Sequence, residues 1–354
     1  METGDMNLDL MSFAPLTLTQ FLIRSQPPKS RGAFTLLMMA LQTAVKVTEK
    51  NIRRAGMKNM FGVIEGVPQN ATGDQQAKLD VISNNAFKAY LGSSTCVTIL
   101  GSEEEEDIIL IDKDKCGDYI IFFDPLDGSS NIDANVTIGS IWCIWRLPPG
   151  EEINSKEKAK DLLQKLNGND IVSAGYVMYG SATSLIISIG QGVDGFTLDP
   201  RIGEFVLTHP HIRIPKSRRI FSANEGYFRK WDPWFKKYVM HIKDKEKKAY
   251  SYRYIGSMVA DIHRTLLYGG IFCYPRTTDK PSGKLRFLYE AAPMAYIVEQ
   301  AGGKALDGQG RILDQKVKSM HQRTPVFLGS PQEVDFCMSF CDKYGGTPMQ
   351  QSKL

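Results

Sequence analysis

Apolar residues along this chain follow two rhythms. Over residues 35–55 they recur every three or four positions between polar ones and stop at Gly56, which predicts a long amphipathic helix. Residues 75–90, closed by Gly92, repeat that period and predict a second helix; between the two, residues 56–78 are polar, glycine-bearing and weakly patterned, as in a mobile loop. From Cys96 the pattern changes to short apolar runs separated by turn residues, predicting strands at 96–100, 108–111 and 119–123 and onward to Leu147. Residues 148–156 read as a surface loop. After a short helix, strands at 171–179, 185–189 and 195–198 complete a first domain, with Asp199-Pro200-Arg201 as the expected link. The remainder mixes both periods, with helices near 231–242, 258–268 and 288–300 and strands near Ile220, 270–274 and 326–328. The expectation is an α/β protein with domains at 1–198 and 199–335, and a helix end with a flexible tail at 336–354.

The chemistry concentrates where the run Tyr119-Ile120-Ile121-Phe122-Phe123 gives way to Asp124-Pro125-Leu126-Asp127-Gly128-Ser129-Ser130-Asn131-Ile132-Asp133. Two acids at the carboxyl end of a buried strand lie where open α/β sheets place ligands. Pro125 fixes its own φ, so a rigid turn lets the Leu126 carbonyl join both carboxylates as an oxygen ligand. Hard oxygens suit magnesium or manganese. Gly128, Ser129 and Ser130 are expected to open a helix whose free N–H groups favour a phosphoryl group. A second acidic run, Glu103-Glu104-Glu105-Glu106-Asp107, follows the strand at 96–100. Acidic runs are usually solvated, but this one also ends a strand, so a shared cation would relieve the repulsion within both clusters. Glu103 and Glu104 are expected to point inward and the later acids to be solvated.

Composition narrows the class only slightly. With 354 residues, 42% of them hydrophobic, the chain is an ordinary globular protein, and a net charge of +4 does not indicate nucleic-acid binding. There is no apolar run of membrane-spanning length, and the basic stretch at 243–248 is interrupted by Asp244 and Glu246. Six scattered cysteines without a CxxC pair predict reduced thiols.

Two further segments complete a constellation. Thr72-Gly73-Asp74-Gln75 precedes Asp80 by a few residues, and Lys284-Leu285-Arg286-Phe287-Leu288-Tyr289-Glu290 places cations and an acid on one stretch. Together these elements resemble the fructose-1,6-bisphosphatase family, within the magnesium-dependent, lithium-sensitive sugar and inositol phosphatases. The resemblance spans about residues 16 to 335, and Asn224-Glu225-Gly226-Tyr227 and Arg253-Tyr254-Ile255-Gly256-Ser257-Met258 separate it from the wider superfamily. It implies a layered α/β/α/β/α fold with the active site between two domains. It also implies hydrolysis of the 1-phosphate of fructose 1,6-bisphosphate with two or three magnesium ions, or manganese in their place.

By the same resemblance, Asp74, Glu103, Glu104, Asp124, the Leu126 carbonyl, Asp127 and Glu290 hold metal, and Asp74, Asp80 and Glu104 serve the chemistry, Asp80 and Glu104 taking the proton from water. Asp127, Gly128, Ser129 and Ser130 receive the phosphate being cleaved. Asn224, Tyr227, Tyr254, Tyr274 and Lys284 hold the other phosphate, Arg286 stands with them, and Arg253 reaches in from a neighbouring subunit. Gly256, Ser257 and Met258 contact the sugar. Gly32, Thr35, Tyr119 and Arg146 match an allosteric AMP site in a homotetramer, although Arg31, Ala33 and Asp118 depart from its pattern; Asp118 stands where the family has a lysine. A phosphatase for sedoheptulose 1,7-bisphosphate or another sugar phosphate, and a catalytically silent homologue that binds sugar phosphate or protein partners, are the alternatives, and the full acid set disfavours the silent one because such charge is costly without cations. The family does not imply the Ser352-Lys353-Leu354 ending. It matches the address read by the peroxisomal import receptor, predicting a peroxisome-type organelle such as a glycosome, with the cytoplasm as fallback.

Overall fold

The computed structural model describes residues 15–27, 30–58, 60, 62, 77–244, 246 and 249–345. Asp74 and the Ser352-Lys353-Leu354 ending lie outside the described residues. Eight strands build the first sheet: β1 Val97–Ser102, β2 Ile109–Leu110, β3 Tyr119–Asp127, β4 Ile138–Arg146, β5 Ile171–Tyr179, β6 Thr183–Ser188, β7 Asp194–Asp199 and β8 Glu204–His209. Their order is β2-β1-β3-β4-β5-β6-β7-β8, with β1 and β3 parallel and the other neighbours antiparallel. A five-stranded sheet follows, in the spatial order Ser251–Tyr252, Ile220–Ser222, Ile271–Tyr274, Val326–Gly329, Lys304–Leu306. Leu285–Arg286 and Arg323–Thr324 pair separately.

The helices are α1 Leu18–Ser25, α2 Ala33–Arg54, α3 Lys78–Gly92, α4 Lys156–Leu163, α5 Pro233–Lys243, α6 Met258–Tyr268, α7 Ala292–Gln300 and α8 Pro331–Tyr344. The apolar runs of β3 and β4 are continuous because both faces of the sheet are covered. Tyr119, Ile121 and Phe123 pack against α1, α2 and α3, whereas Ile120 and Phe122 join the core beneath α6 and α7. The far side of α6 and α7 meets the second sheet, whose other face is closed by α5 and α8 around Phe221, Phe235, Tyr238 and Phe327. The layers are therefore helix, sheet, helix, sheet, helix, as expected.

Three expectations need correction. Asp199-Pro200-Arg201 is not a link but part of the β7–β8 hairpin turn, so the first sheet continues to His209. The strand at 204–209 lacks a clean alternation, with only Phe205 fully buried, which hid it. Residue 336 does not begin a separate element, since α8 runs unbroken from Pro331 and packs on α5. The segment at Ser129 does not open a helix: Ser129–Asn131 is a single 3₁₀ turn entered through Gly128 at φ 81°.

Candidate functional site

The decisive local feature is an irregularity in β3. Side chains alternate across a strand, so residues three apart should face opposite ways. Between Asp124, opposite Ile141, and Asp127, opposite Gly139, β3 carries one residue more than β4, and this bulge turns both carboxylates to the α6 side. Pro125 is tolerated at the irregularity because it has no N–H to place in the ladder; its carbonyl accepts a 2.7 Å bond from the Ser140 hydroxyl. Gly139 is required beneath: a Cβ there would come within 2.6 Å of Val259 at the start of α6, where the Val259 N–H donates to Asp127 at 3.3 Å.

Glu290 joins from the second half of the chain. Phe287–Ala291 forms a π-helical turn before α7, a form common at functional sites, and Glu290 accepts the Arg286 N–H. One carboxylate oxygen each of Asp124, Asp127 and Glu290 lies within 4.8 Å of the others, and all three residues are buried. Glu103, held at the end of β1 by its N–H to the Phe123 carbonyl, is bridged by Arg286 at 2.9 Å, with Glu290 3.9 Å from the same guanidinium. Burial pushes Glu103, Asp127 and Glu290 up to about 7, and Asp124 is raised well above the usual carboxylate range by burial and the Glu103 and Asp127 charges. Arg286 and Lys284 together do not balance these four acids. Oxygen donors this close, buried and mutually repelling fit a hard divalent cation, whose charge would restore their ionised forms.

Asp80 sits at the first turn of α3, its Oδ2 accepting the Ala77 N–H at 2.9 Å. Burial, reinforced by Glu104, raises it to about 7, against the opposing pull of the Ala77 amide and the Ser129 hydroxyl. Glu103 and Glu104 do face the cavity. Glu105, expected in solvent, is instead turned onto α3, accepting from Asn84 at 2.7 Å and Lys88 at 2.6 Å, because those polar groups need a partner. Asp107 pairs with Lys160 and only Glu106 is exposed.

These acids line a cavity of about 620 Å³ together with Leu126, Gly128, Ser129, Ser130, Asn224, Tyr227, Tyr254, Gly256, Met258, Tyr274, Lys284 and Arg286. The 3₁₀ turn consumes the N–H groups of Asn131 and Ile132, not those of Ser129 and Ser130. Ser257 is not at the cavity surface where it was expected, whereas Arg253 was expected to serve a neighbouring subunit. Ser257 is buried at 1% exposure behind Gly128, and Arg253 is exposed outside the cavity. Asp133 lines the cavity and the fully buried Asp261 lies within its wall, neither having been assigned a role. The signal for Asp261 was available: it is an acid on the apolar stripe of a predicted helix, with Met258, Ile262 and Thr265.

Taken together, a buried cluster of hard oxygen donors opening onto amides, tyrosines and a lysine defines a site for a divalent cation beside a phosphorylated ligand. Family models described as "Fructose-1-6-bisphosphatase, N-terminal domain" and "C-terminal domain" match residues 16–210 and 214–342. The chain belongs to the fructose-1,6-bisphosphatase family. It is 47% identical to the cytosolic fructose-1,6-bisphosphatase of Brassica napus, covering 90% of this chain and 93% of the relative. Identity to fructose-1,6-bisphosphatase isozyme 2 of Rattus norvegicus is 47%, over 92% and 94%. Among solved structures, Leishmania major fructose-1,6-bisphosphatase in holo form superposes with a TM-score of 0.91 at 66% identity, covering 93% of this chain and 99% of that one; its T-state gives 0.86 at 64%, over 93% and 99%.

Proposed function

We infer that this enzyme hydrolyses the 1-phosphate of fructose 1,6-bisphosphate, releasing fructose 6-phosphate, a gluconeogenic step. The observation that carries this is one cavity holding both the acid cluster and the Asn224, Tyr227, Tyr254, Tyr274 and Lys284 set, which lets a single molecule present one phosphate to each. Glu103, Glu104, Asp124, Asp127, Glu290 and the Leu126 carbonyl would hold divalent cations, magnesium first, with Asp74 adding a ligand. Cations there would neutralise phosphoryl oxygens and acidify water. The Ser129 and Ser130 amides orient the phosphate being cleaved, which matters because a loose transition state is stabilised mainly by positioning and charge. Asp80 accepts the proton from the attacking water, with Glu104 beside it. Lys284, 5.9 Å from the Tyr274 ring centre, supplies positive charge to the phosphate that stays.

The test is phosphate release from a panel including fructose 1,6-bisphosphate and sedoheptulose 1,7-bisphosphate, with magnesium and with chelator. Release confined to magnesium and favouring the fructose ester is expected; no release from any sugar phosphate would overturn the reading. Lys284→Ala should raise KM roughly 10–100-fold, as for a charged hydrogen bond, while kcat changes less. A pure kcat effect would remove Lys284 from this role.

AMP inhibition of a homotetramer is proposed from a second cavity of about 580 Å³, lined by Gln26, Arg31, Phe34, Asp118, Tyr119 and Arg146 among others. Gly32 starts α2 beside it and Thr35 accepts from the Gln26 amide. Asp118 lies 3.6 Å from Arg146, which weakens that arginine for a phosphate, while Arg31 offers a replacement. Exposed Leu36 and Met39 on α2, and Tyr252 and Ile255 beside Arg253, support contact between subunits, and a T-state is described for the Leishmania major enzyme. Millimolar AMP should inhibit, and Tyr119→Ala should relieve inhibition while sparing turnover; unchanged activity in AMP would sink the proposal. Among the described residues no helix is long and apolar enough to cross a membrane.

A further inference from the structure

The loop between the strand Ser251–Tyr252 and α6 carries Tyr254 and Gly256 into the cavity and leads into Met258, the first residue of α6, yet it has little regular structure of its own to hold it there. Beneath it lies Asp261, with 0% exposure. Its carboxylate accepts the Ile255 N–H at 3.0 and 3.1 Å and the Gly256 N–H at 2.9 Å, together with the Ser222 hydroxyl at 3.0 Å. Arg264, one turn on, donates through Nη2 to Asp261 at 3.0 Å and to the Arg253 carbonyl at 2.8 Å. Backbone groups of Arg253, Ile255 and Gly256 are thus fixed by one ion pair whose carboxylate is fully buried. Gly256 has φ +89°, a conformation that glycine adopts without strain and other residues rarely do, so the turn that brings its N–H to Asp261 depends on glycine at this position.

We propose that Asp261, clamped by Arg264, is the positioning residue of the substrate site: it sets the loop that presents Tyr254 and Gly256 to the sugar and the retained phosphate, without touching substrate itself. This rests on the assignment of that half of the cavity to the 6-phosphate end. The carboxylate is needed because its two oxygens serve four donors; an asparagine would turn an N–H₂ group toward N–H groups and lose one acceptor.

The experiment is steady-state kinetics on full-length Asp261→Asn and Arg264→Gln, with inorganic phosphate and fructose 6-phosphate as inhibitors. For both variants KM for fructose 1,6-bisphosphate should rise about tenfold or more and kcat by less than about threefold. The fructose 6-phosphate inhibition constant should weaken in step with KM, whereas those for inorganic phosphate and for magnesium activation stay within about twofold. General loosening of the fold would weaken all of these together, and that result, or an unchanged KM in a folded variant, would overturn the proposal. Arg264→Gln keeps the carboxylate in place, so it decides the matter if Asp261→Asn does not fold. Failure of wild type to release phosphate, with fructose 6-phosphate still binding and weakened by the variants, would refute the activity and leave the positioning role standing.

Discussion

Asp127→Ala should lower kcat for magnesium-dependent phosphate release by at least about a thousandfold, equivalent to roughly 4 kcal/mol, because in the proposed function this group both holds cation and stands at the scissile phosphate. The bulge and Gly139 that aim this carboxylate remain after the change, as does α6, whose N-terminal Val259 N–H loses its acceptor but lies at a helix start where such groups are ordinarily unpaired within the helix. The variant should therefore fold. In the metal-free protein it should even unfold at a higher temperature than wild type, since one buried negative charge has been removed from among Glu103, Asp124 and Glu290. Phosphate release and thermal unfolding in chelator, measured on one preparation, check both halves. Undiminished turnover would remove Asp127 from the metal site, and lowered metal-free stability would remove the charge explanation.

The same cluster gives stability a pH dependence with a definite sign. Glu103, Asp127 and Glu290 are raised from the ordinary carboxylate range to about 7 in the folded, metal-free chain, so between about 4 and 7 the folded state binds more protons than the unfolded one. Stability conferred by the raised values is complete below the unfolded pKa and is lost as pH rises through about 7. In chelator the unfolding temperature should fall across that window, and magnesium should raise it more at pH 8 than at pH 5.5, because protons and cation compete for the same oxygens. A magnesium effect independent of pH would exclude these carboxylates as ligands.

Most of the fold was legible because it is written in two periods that local sequence carries: α2, α3 and α6 appear where apolar spacing placed them, and β5 matches residue for residue. What escaped depends on pairing partners and not on the segment's own pattern. Glu204–His209 is a strand because β7 lies beside it, and Lys304–Leu306 because Val326–Gly329 does. Neither advertises that in its own pattern. At the site, residue types were legible but their directions were not. Two acids three positions apart point the same way only through a bulge, and Glu290 reaches the cluster through a π-turn; both are backbone irregularities that no periodicity encodes. Glu105 shows the converse, an acid in a run of acids whose fate was decided by Asn84 and Lys88 on a neighbouring helix.

Asp80→Asn should reduce kcat by about a hundredfold to a thousandfold, within the range for loss of a general base. The competing explanation is purely local: Asp80 is the third residue of α3, and its Oδ2 closes the first turn by accepting the Ala77 N–H, which any helix-start acid could do. Asparagine separates the two roles, for its carbonyl oxygen can accept that same N–H while its amide cannot take a proton. Loss of the negative charge at the helix start should cost no more than about 1 kcal/mol of stability, so thermal unfolding with magnesium present should change little. The environment suits a base. Burial and the nearby Glu104 charge raise Asp80 to about 7 in the metal-free chain, making it a better proton acceptor than an exposed aspartate, and neighbouring cations would bring that value down so that it stands ionised at working pH. The wild-type rate should accordingly rise with pH through an acidic limb that the variant lacks, with KM changed by less than about threefold because the proposed role of Asp80 lies in the chemical step and not in holding the retained phosphate. If Asp80→Asn keeps wild-type kcat and its acidic limb, Asp80 is a helix-start acid and nothing more, and proton acceptance passes to Glu104.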